Sequence, residues 1–265
     1  MRGFGEVAER LRRSTVQVFS KGHQGGGSGV VWDESGVVVT NAHVARGDEA
    51  EVELWDGRRV GGRVASRDPR RDLAIVRIAR GGLEAARHGD SDRLRPGELV
   101  LAVGSPLGFA GALSTGVVHS VGALPGMGRQ SWIRANVRLA PGNSGGPLAD
   151  AEGRVIGINT AIVNGLGVAV PANAAVRFLA RGPRPSLGVV LRPVTHGLML
   201  LEVQPGSAAA AASLGPGDVL VGSFDDLSDA LESGQEVLRL QFFRNGDYSR
   251  VREAHVRFAK RAEAA

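Results

Sequence analysis

The strongest constraint on this chain is its punctuation. Glycine and proline recur along the whole length, 39 and 12 times in 265 residues, and the apolar runs between them are short. Short runs rich in Val, Ile and Leu, bounded by Gly, Asp, Asn and Ser, fit strands and are too brief for most helices. The chain therefore reads as mainly β. A first group of strands is expected at Thr15–Phe19, Gly29–Trp32, Val37–Thr40, Glu51–Leu54, Arg58–Ser66 and Leu73–Ile78. Asp56-Gly57, between Leu54 and Val60, is a hairpin signal. A second group follows at Leu99–Gly104, Leu113–Val121, Trp132–Val137, Pro147–Leu148, Val155–Asn159 and Gly167–Val170. Two successive groups of about six strands predict two β-barrels with a cleft between them.

Helices frame this β region. Phe4, Val7, Ala8 and Leu11 lie on one face of a helix over Phe4–Arg13. Pro171–Ala180 reads as a closing helix with proline in its first turn. Arg181-Gly182-Pro183-Arg184-Pro185 has the composition of a linker. The expected domains are thus residues 1–182 and a smaller unit, 186–260. The second holds strands near Leu187–Leu191 and Gly197–Val203, an alanine-rich short helix, a helix near Asp226–Ser233, and strands at Glu236–Arg244 and Val251–Phe258.

Charge and composition remove several function classes. The net charge is +5 and the pI about 10.7, nearly all from arginine, but arginine alternates with acids, as in Arg67-Asp68-Pro69-Arg70-Arg71-Asp72. No basic run interleaved with aromatics occurs, so no nucleic-acid partner is expected. The absence of cysteine excludes disulfides and thiolate metal sites. His23 has no metal-ligand spacing around it, and Gly25-Gly26-Gly27-Ser28-Gly29 lacks the lysine of a phosphate loop. No metal and no cofactor are expected. Met1–Arg13 is too charged for a signal peptide, and no run of about 18 apolar residues could span a membrane.

The chemistry concentrates at Pro141-Gly142-Asn143-Ser144-Gly145-Gly146-Pro147-Leu148. A glycine-dense turn lets the backbone approach a substrate and aim several N–H groups at one point. A serine hydroxyl is a poor nucleophile alone; it needs a base that a third group orients. Thr40-Asn41-Ala42-His43-Val44 offers His43 as the base, and Asp72-Leu73-Ala74-Ile75-Val76 offers Asp72 as the orienting carboxylate. The oxyanion hole is expected at Gly142, Asn143 and Ser144, with the N–H groups of Gly142 and Ser144 as donors. Asp68, the rival carboxylate, precedes Pro69 and reads as a turn. His23, His88, His119, His196 and His255 lack a comparable context and are expected on the surface or in loops.

The order His43, Asp72, Ser144 is the chymotrypsin order. Thr40–Val44, Asp72–Ala74 and Gly142–Leu148 resemble the three signature segments of the HtrA/Deg serine proteases, and the resemblance runs from about Val16 to Phe258. It implies a chymotrypsin-like double β-barrel and an ATP-independent serine endopeptidase acting on unfolded or damaged protein. It further implies an apolar substrate pocket lined by Leu139, Asn159, Thr160, Ala161 and Ile162. Trypsin-type pockets carry an aspartate at the position of Arg138, so cleavage after Lys or Arg is not expected. Asn143 stands where many relatives hold an aspartate that pairs with a newly cut N-terminus, so zymogen cleavage is not expected either.

From Ser186 the chain resembles an HtrA-type PDZ domain of α+β build. Leu187, Gly188, Val189, Val190 and Leu191 would hold a C-terminal peptide, or serve as an ordinary strand start. The Asn-Gly turn and strand that usually follow Gly-Asp-Val-Leu are mostly missing between Leu220 and Phe224. By resemblance the protein is a homotrimer, with Phe4 and Phe19 in the assembling region, although core packing explains both residues equally well. Family members usually work in the periplasm or cell envelope; here the chain either works in the cytoplasm or has a truncated start. Two rival functions stand beside the main one: a narrow regulatory protease, and a non-proteolytic chaperone or peptide-binding module on the same scaffold.

Overall fold

A strand covered on both faces reads as an unbroken apolar run, and β3 (Val37–Thr40) is such a strand. Val38 points into one barrel core with Val16, Val18, Val52 and Val76. Val37 and Val39 point the other way, into a second cluster with Leu101, Val103, Trp132 and Ile158. The computed structural model describes residues 4–22, 25–105, 111–180, 186–233 and 235–258. His23 and the linker expected at 181–185 lie outside the described residues. The chain divides into two compact units, Met1–Gly182 and Pro183–Ala265.

In the first unit, β1 (Thr15–Ser20), β2 (Gly26–Val31), β3, β4 (Glu49–Glu53), β5 (Arg59–Asp68) and β6 (Leu73–Ile78) close into a barrel of order β1-β2-β3-β6-β5-β4. A parallel two-residue strand, β7 (Arg87–His88), then pairs with Arg154 and Val155. A second ring is made by β8 (Leu99–Gly104), β9 (Ala112–Ala123), β10 (Ser131–Ala135), β11 (Pro147–Asp150), β12 (Arg154–Val163) and β13 (Leu166–Pro171). Its order is β11-β8-β9-β10-β13-β12, and the β11–β12 pairing closes it. The fold is therefore mainly β, with two closed six-stranded, chymotrypsin-like barrels.

One apolar layer joins the barrels. It takes Val30, Trp32, Leu73 and Ile75 from the first and Leu101, Val103, Ile158 and Val170 from the second. Helix α1 (Phe4–Arg13) seals one side with Val7 and Leu11, and α2 (Ala172–Ala180) adds Ala172, Ala175 and Phe178. Pro171, expected in the first turn of that helix, instead ends β13 opposite Gly157. Its missing N–H is tolerated there because a strand terminus needs one donor fewer.

The second unit is an antiparallel sheet of order β14-β15-β16-β17-β18, from Val189–Val194, Gly197–Val203, Val219–Leu220, Val237–Phe243 and Val251–Arg257. Helices α3 (Ala208–Ala211) and α4 (Phe224–Glu232) accompany it. Leu187, Leu198, Leu200, Leu220, Leu240, Phe242 and Val256 form its core. Asp218 is fully buried and accepts from the N–H groups of Gly215 and Asn245 and from Arg244 Nη1. After β16 the chain turns through Gly222 (φ 111) directly into α4, whose N-terminus Ser223 and Asp226 cap reciprocally. Among the described residues no helix is long and apolar enough to cross a membrane.

Candidate active site

The site lies where the two barrels meet, and each letter of Thr40–Val44 has a task. Thr40 Oγ1 donates to Ser28 O at 2.6 Å, tying β3 to β2. Asn41 Nδ2 donates to Asp72 O at 2.8 Å, so the end of β3 grips the start of β6. Asn41 O accepts from the N–H groups of Val44 and Ala45, which curls the chain and turns His43 outward. Ala42 and Val44 are buried beneath it.

Asp72 has φ 52, in the left-handed region that few non-glycine residues adopt. The turn before it is pinned by Asp68, whose carboxylate accepts from Arg71 N–H and Arg71 Nη1, and by Gln130, which donates to Arg70 O at 2.6 Å. Held this way, Asp72 receives His43 Nδ1 on Oδ2 at 2.7 Å and His43 N–H on Oδ1 at 3.0 Å. Thr160 Oγ1 also donates to Oδ2. The two bonds from His43 fix the ring with Nδ1–H towards the carboxylate, which leaves Nε2 as the basic nitrogen. The His43 side chain is 44% exposed and that of Asp72 18%, so the imidazole is open to a substrate while its partner is shielded.

Ser144 sits on the loop between β10 and β11. Its hydroxyl donates to Thr160 O at 3.0 Å, so Thr160 touches both the serine and Asp72. The serine proton is thus turned to Thr160 in this state; catalytic hydrogen bonds commonly tighten only when substrate is bound. Gly145 (φ 87) packs so closely on the first barrel that a Cβ would lie 2.0 Å from Ser28 O. A Cβ on Gly27 would lie 2.7 Å from Ser144 O, and Ser28 N–H donates to that same oxygen at 2.7 Å. These glycines are needed for backbone to touch backbone.

The N–H groups of this loop divide into used and unused. Asn143 N–H donates to Ala140 O, Gly145 N–H to Asn159 O and Gly146 N–H to Asn143 O. Among the described residues, the N–H groups of Gly142 and Ser144 have no protein partner. The donors open to a ligand are therefore Gly142 and Ser144. Asn143 contributes a buried side chain beside Gly104 rather than a free donor.

The residues expected to line the pocket differ in exposure. Asn159 is buried, with Nδ2 on Pro147 O at 2.9 Å. Thr160 is also buried, whereas Leu139 and Ala161 are half-buried and Ile162 is 54% exposed. Arg138 is exposed, and its N–H donates to Ser114 Oγ. In the second unit, Leu187 is buried in the core, and Gly188 has φ 70 against Ser207. Val189, Val190 and Leu191 begin β14, with Val190 exposed. Of the other histidines, His88, His119, His196 and His255 are exposed, but His88, His119 and His255 belong to strands. His88 also rests its ring on Trp32 and donates from Nε2 to Trp32 O at 3.0 Å. No three His, Asp or Glu side chains among the described residues could together hold a metal ion.

Sequence reasoning missed Ser28, Thr40, Asn41 and Gln130, and it assigned Thr160 only to the pocket. Their signal is long-range: Thr160 lies 88 positions from Asp72, and Gln130 lies 60 from Arg70.

The pattern of the trypsin-like peptidase domain matches residues 27–158. Putative serine protease HhoB of Synechocystis sp. is 36% identical over 234 residues, covering 75% of this chain and 56% of that protein. A probable periplasmic serine endoprotease DegP-like of Marinomonas sp. is 35% identical over 221 residues, covering 74% and 47%. The chain thus spans about half the length of the curated relatives it matches. Among solved structures, the HtrA-type protease AlgW with a decapeptide superposes with a TM-score of 0.67 at 25% identity, covering 97% of this chain and 98% of that one. AlgW with a tripeptide gives 0.67 at 27% identity, over 97% and 96%. With the signature segments gathered between two barrels, this chain belongs to the HtrA/Deg family of trypsin-like serine proteases.

Proposed function

We propose that this protein is an ATP-independent serine endopeptidase that hydrolyses peptide bonds of unfolded or damaged proteins. The observation that carries the reading is the pairing of His43 Nδ1 with Asp72 Oδ2 beside a serine loop that leaves two N–H groups unused. Ser144 Oγ attacks the scissile carbonyl carbon while His43 Nε2 takes its proton. Asp72 holds the tautomer and stabilises the imidazolium. The N–H groups of Gly142 and Ser144 receive the oxyanion. His43 then protonates the leaving amine, and water, activated by the same imidazole, releases the acyl group from Ser144.

Residue 138 supplies an exposed arginine where a cation-binding pocket needs a buried carboxylate. Cuts should therefore follow small aliphatic residues such as Val or Ala. The second unit is proposed as a PDZ-like domain. Its β14 is the edge of the sheet, able to accept a C-terminal peptide as an added strand beside Val189–Leu191. A cavity of about 590 Å³ lies past the far end of that strand, lined by Pro193, His196, Phe224 and Asp225 among others, with room for upstream side chains of the peptide. A homotrimer is proposed from the family resemblance, with the exposed Phe4 available for assembly.

Ser144→Ala tests the core of the proposal: hydrolysis of unfolded casein should disappear while the far-UV spectrum stays unchanged. Undiminished proteolysis by the purified variant would end the assignment. Mass spectrometry of digest termini tests the pocket, and a majority of cuts after Lys or Arg would refute it. Light scattering of the full chain tests the trimer.

A further inference from the structure

We infer that the Ser28 hydroxyl is a positioning group for the oxyanion hole: from the opposite barrel, it fixes the Gly142–Asn143 peptide and thereby the two free N–H donors. The inference rests on reading Ser144 as the nucleophile and adds a residue outside the triad and outside the serine loop. Ser28 is fully buried on β2. Its Oγ donates to Gly142 O at 2.7 Å and accepts from Ser105 N–H at 3.0 Å, so the hydroxyl bridges the serine loop and the end of β8. The other end of the same peptide unit, Asn143 N–H, is held by Ala140 O.

The peptide needs this double hold because Gly142 has φ 104. Glycine has no Cβ to stop either adjoining peptide from turning over. A flipped Gly142–Asn143 unit would carry the loop out of the geometry that points Gly142 N–H and Ser144 N–H at one place. An oxyanion hole works only when its donors stand ready at hydrogen-bond distance from the developing charge. Backbone contacts alone leave Gly142 O without another donor among the described residues.

Ser28 is closely packed on this side. A Cβ added to Gly104 would sit 2.5 Å from Asn143 Oδ1 and 3.1 Å from Ser28 Oγ. One added to Gly146 would sit 2.3 Å from Val103 O and 3.1 Å from the Ser28 Cβ. Ser28→Ala vacates the volume of only one oxygen in these surroundings. Among the described residues, Ser28→Ala leaves Gly142 O and Ser105 N–H without their hydrogen-bond partner.

The test is kinetic, on the full chain, with a fluorogenic peptide ending in valine and a peptide boronic acid that mimics the tetrahedral state. Removing an oxyanion donor outright lowers kcat by about 10²–10³; loosening two should lower it by about tenfold. In Ser28→Ala, kcat should fall by about that factor, KM should stay within about twofold, and boronate inhibition should weaken in step with kcat. Ser91→Ala is the control for stability alone: Ser91 is also buried and accepts one backbone bond, from Asn173 N–H at 3.0 Å, away from the serine loop. Should Ser28→Ala not fold, Ser28→Cys adds no heavy atom, though its sulfur is bulkier than oxygen, and its weak donor should show the same pattern in part. Wild-type kcat and boronate affinity in whichever variant folds would overturn the inference, as would a loss that Ser91→Ala matches. Ser144→Ala, run alongside, separates the two readings. If it keeps activity, the nucleophile assignment fails; if it is dead and Ser28→Ala is normal, only the role of Ser28 fails.

Discussion

Thr160 links the two halves of the proposed triad, and Thr160→Val measures that link. Asp72 receives three donors, from His43 Nδ1, His43 N–H and Thr160 Oγ1. Valine keeps the branched shape and removes only the third. A hydrogen bond to a charged group contributes about 1.5–3 kcal/mol. The Asp72 side chain is 18% exposed, so water can reach part of the vacated site and the lower end applies. Since about 1.4 kcal/mol is tenfold in rate, kcat should fall by roughly ten. KM should hold, because Thr160 O still receives the Ser144 hydroxyl whatever the side chain. Thr160→Ser restores the donor and should return kcat towards wild type. A Thr160→Val enzyme with unchanged kcat would refute the reasoning, as would a Thr160→Ser enzyme as poor as the valine variant.

Gly145→Ala should destabilise the first unit by about 3 kcal/mol, read as a lower urea midpoint. A left-handed non-glycine residue costs about 1–2 kcal/mol and the lost Thr40–Ser28 bond about 1, and the new Cβ would lie 2.3 Å from Thr40 Oγ1. An unchanged midpoint would contradict the close approach. Although residue 88 is exposed overall, its ring is partly shielded from water where it packs on Trp32, and this desolvation holds His88 below the usual histidine value, outweighing the opposing pull of its Trp32 O bond and of Asp33. Its folded state therefore favours the neutral ring. The stability this gives is complete above the unfolded value of about 6.5 and is lost as pH falls below it. His88→Phe should narrow the difference in Tm between pH 7.5 and 5.5, and an equal or wider difference would reject the assignment.

The strands were legible because most are buried against something on each face. Val37–Thr40 and Leu73–Ile78 show as apolar runs for that reason, and their alternate residues feed two cores. Gly26 and Gly27 were not legible as strand, since a glycine triplet reads as a turn. They belong to β2 because the Ser144 loop leaves no room for a side chain at Gly27. The three signature segments announced themselves locally, each with its own neighbours. The groups that hold those segments are single hydroxyls and amides on distant strands, such as Ser28, Thr160 and Gln130. Their importance comes from who faces them across the barrel interface, and no local pattern records that. Two-residue strands such as Arg87–His88 are shorter than any period that could identify them.

The stitching between the barrels has a kinetic consequence. Ser28 meets Gly142 across 114 positions of sequence, and Thr160 meets Asp72 across 88. Contacts that distant close late, because the chain must surrender a long loop's freedom before they form. During synthesis, the first barrel can be complete while the segment carrying Ser144 and Thr160 is still inside the ribosome. A half-made chain thus holds His43 and Asp72 but neither the proposed nucleophile nor the proposed oxyanion donors. On that reading, the growing chain stays latent through the order of translation.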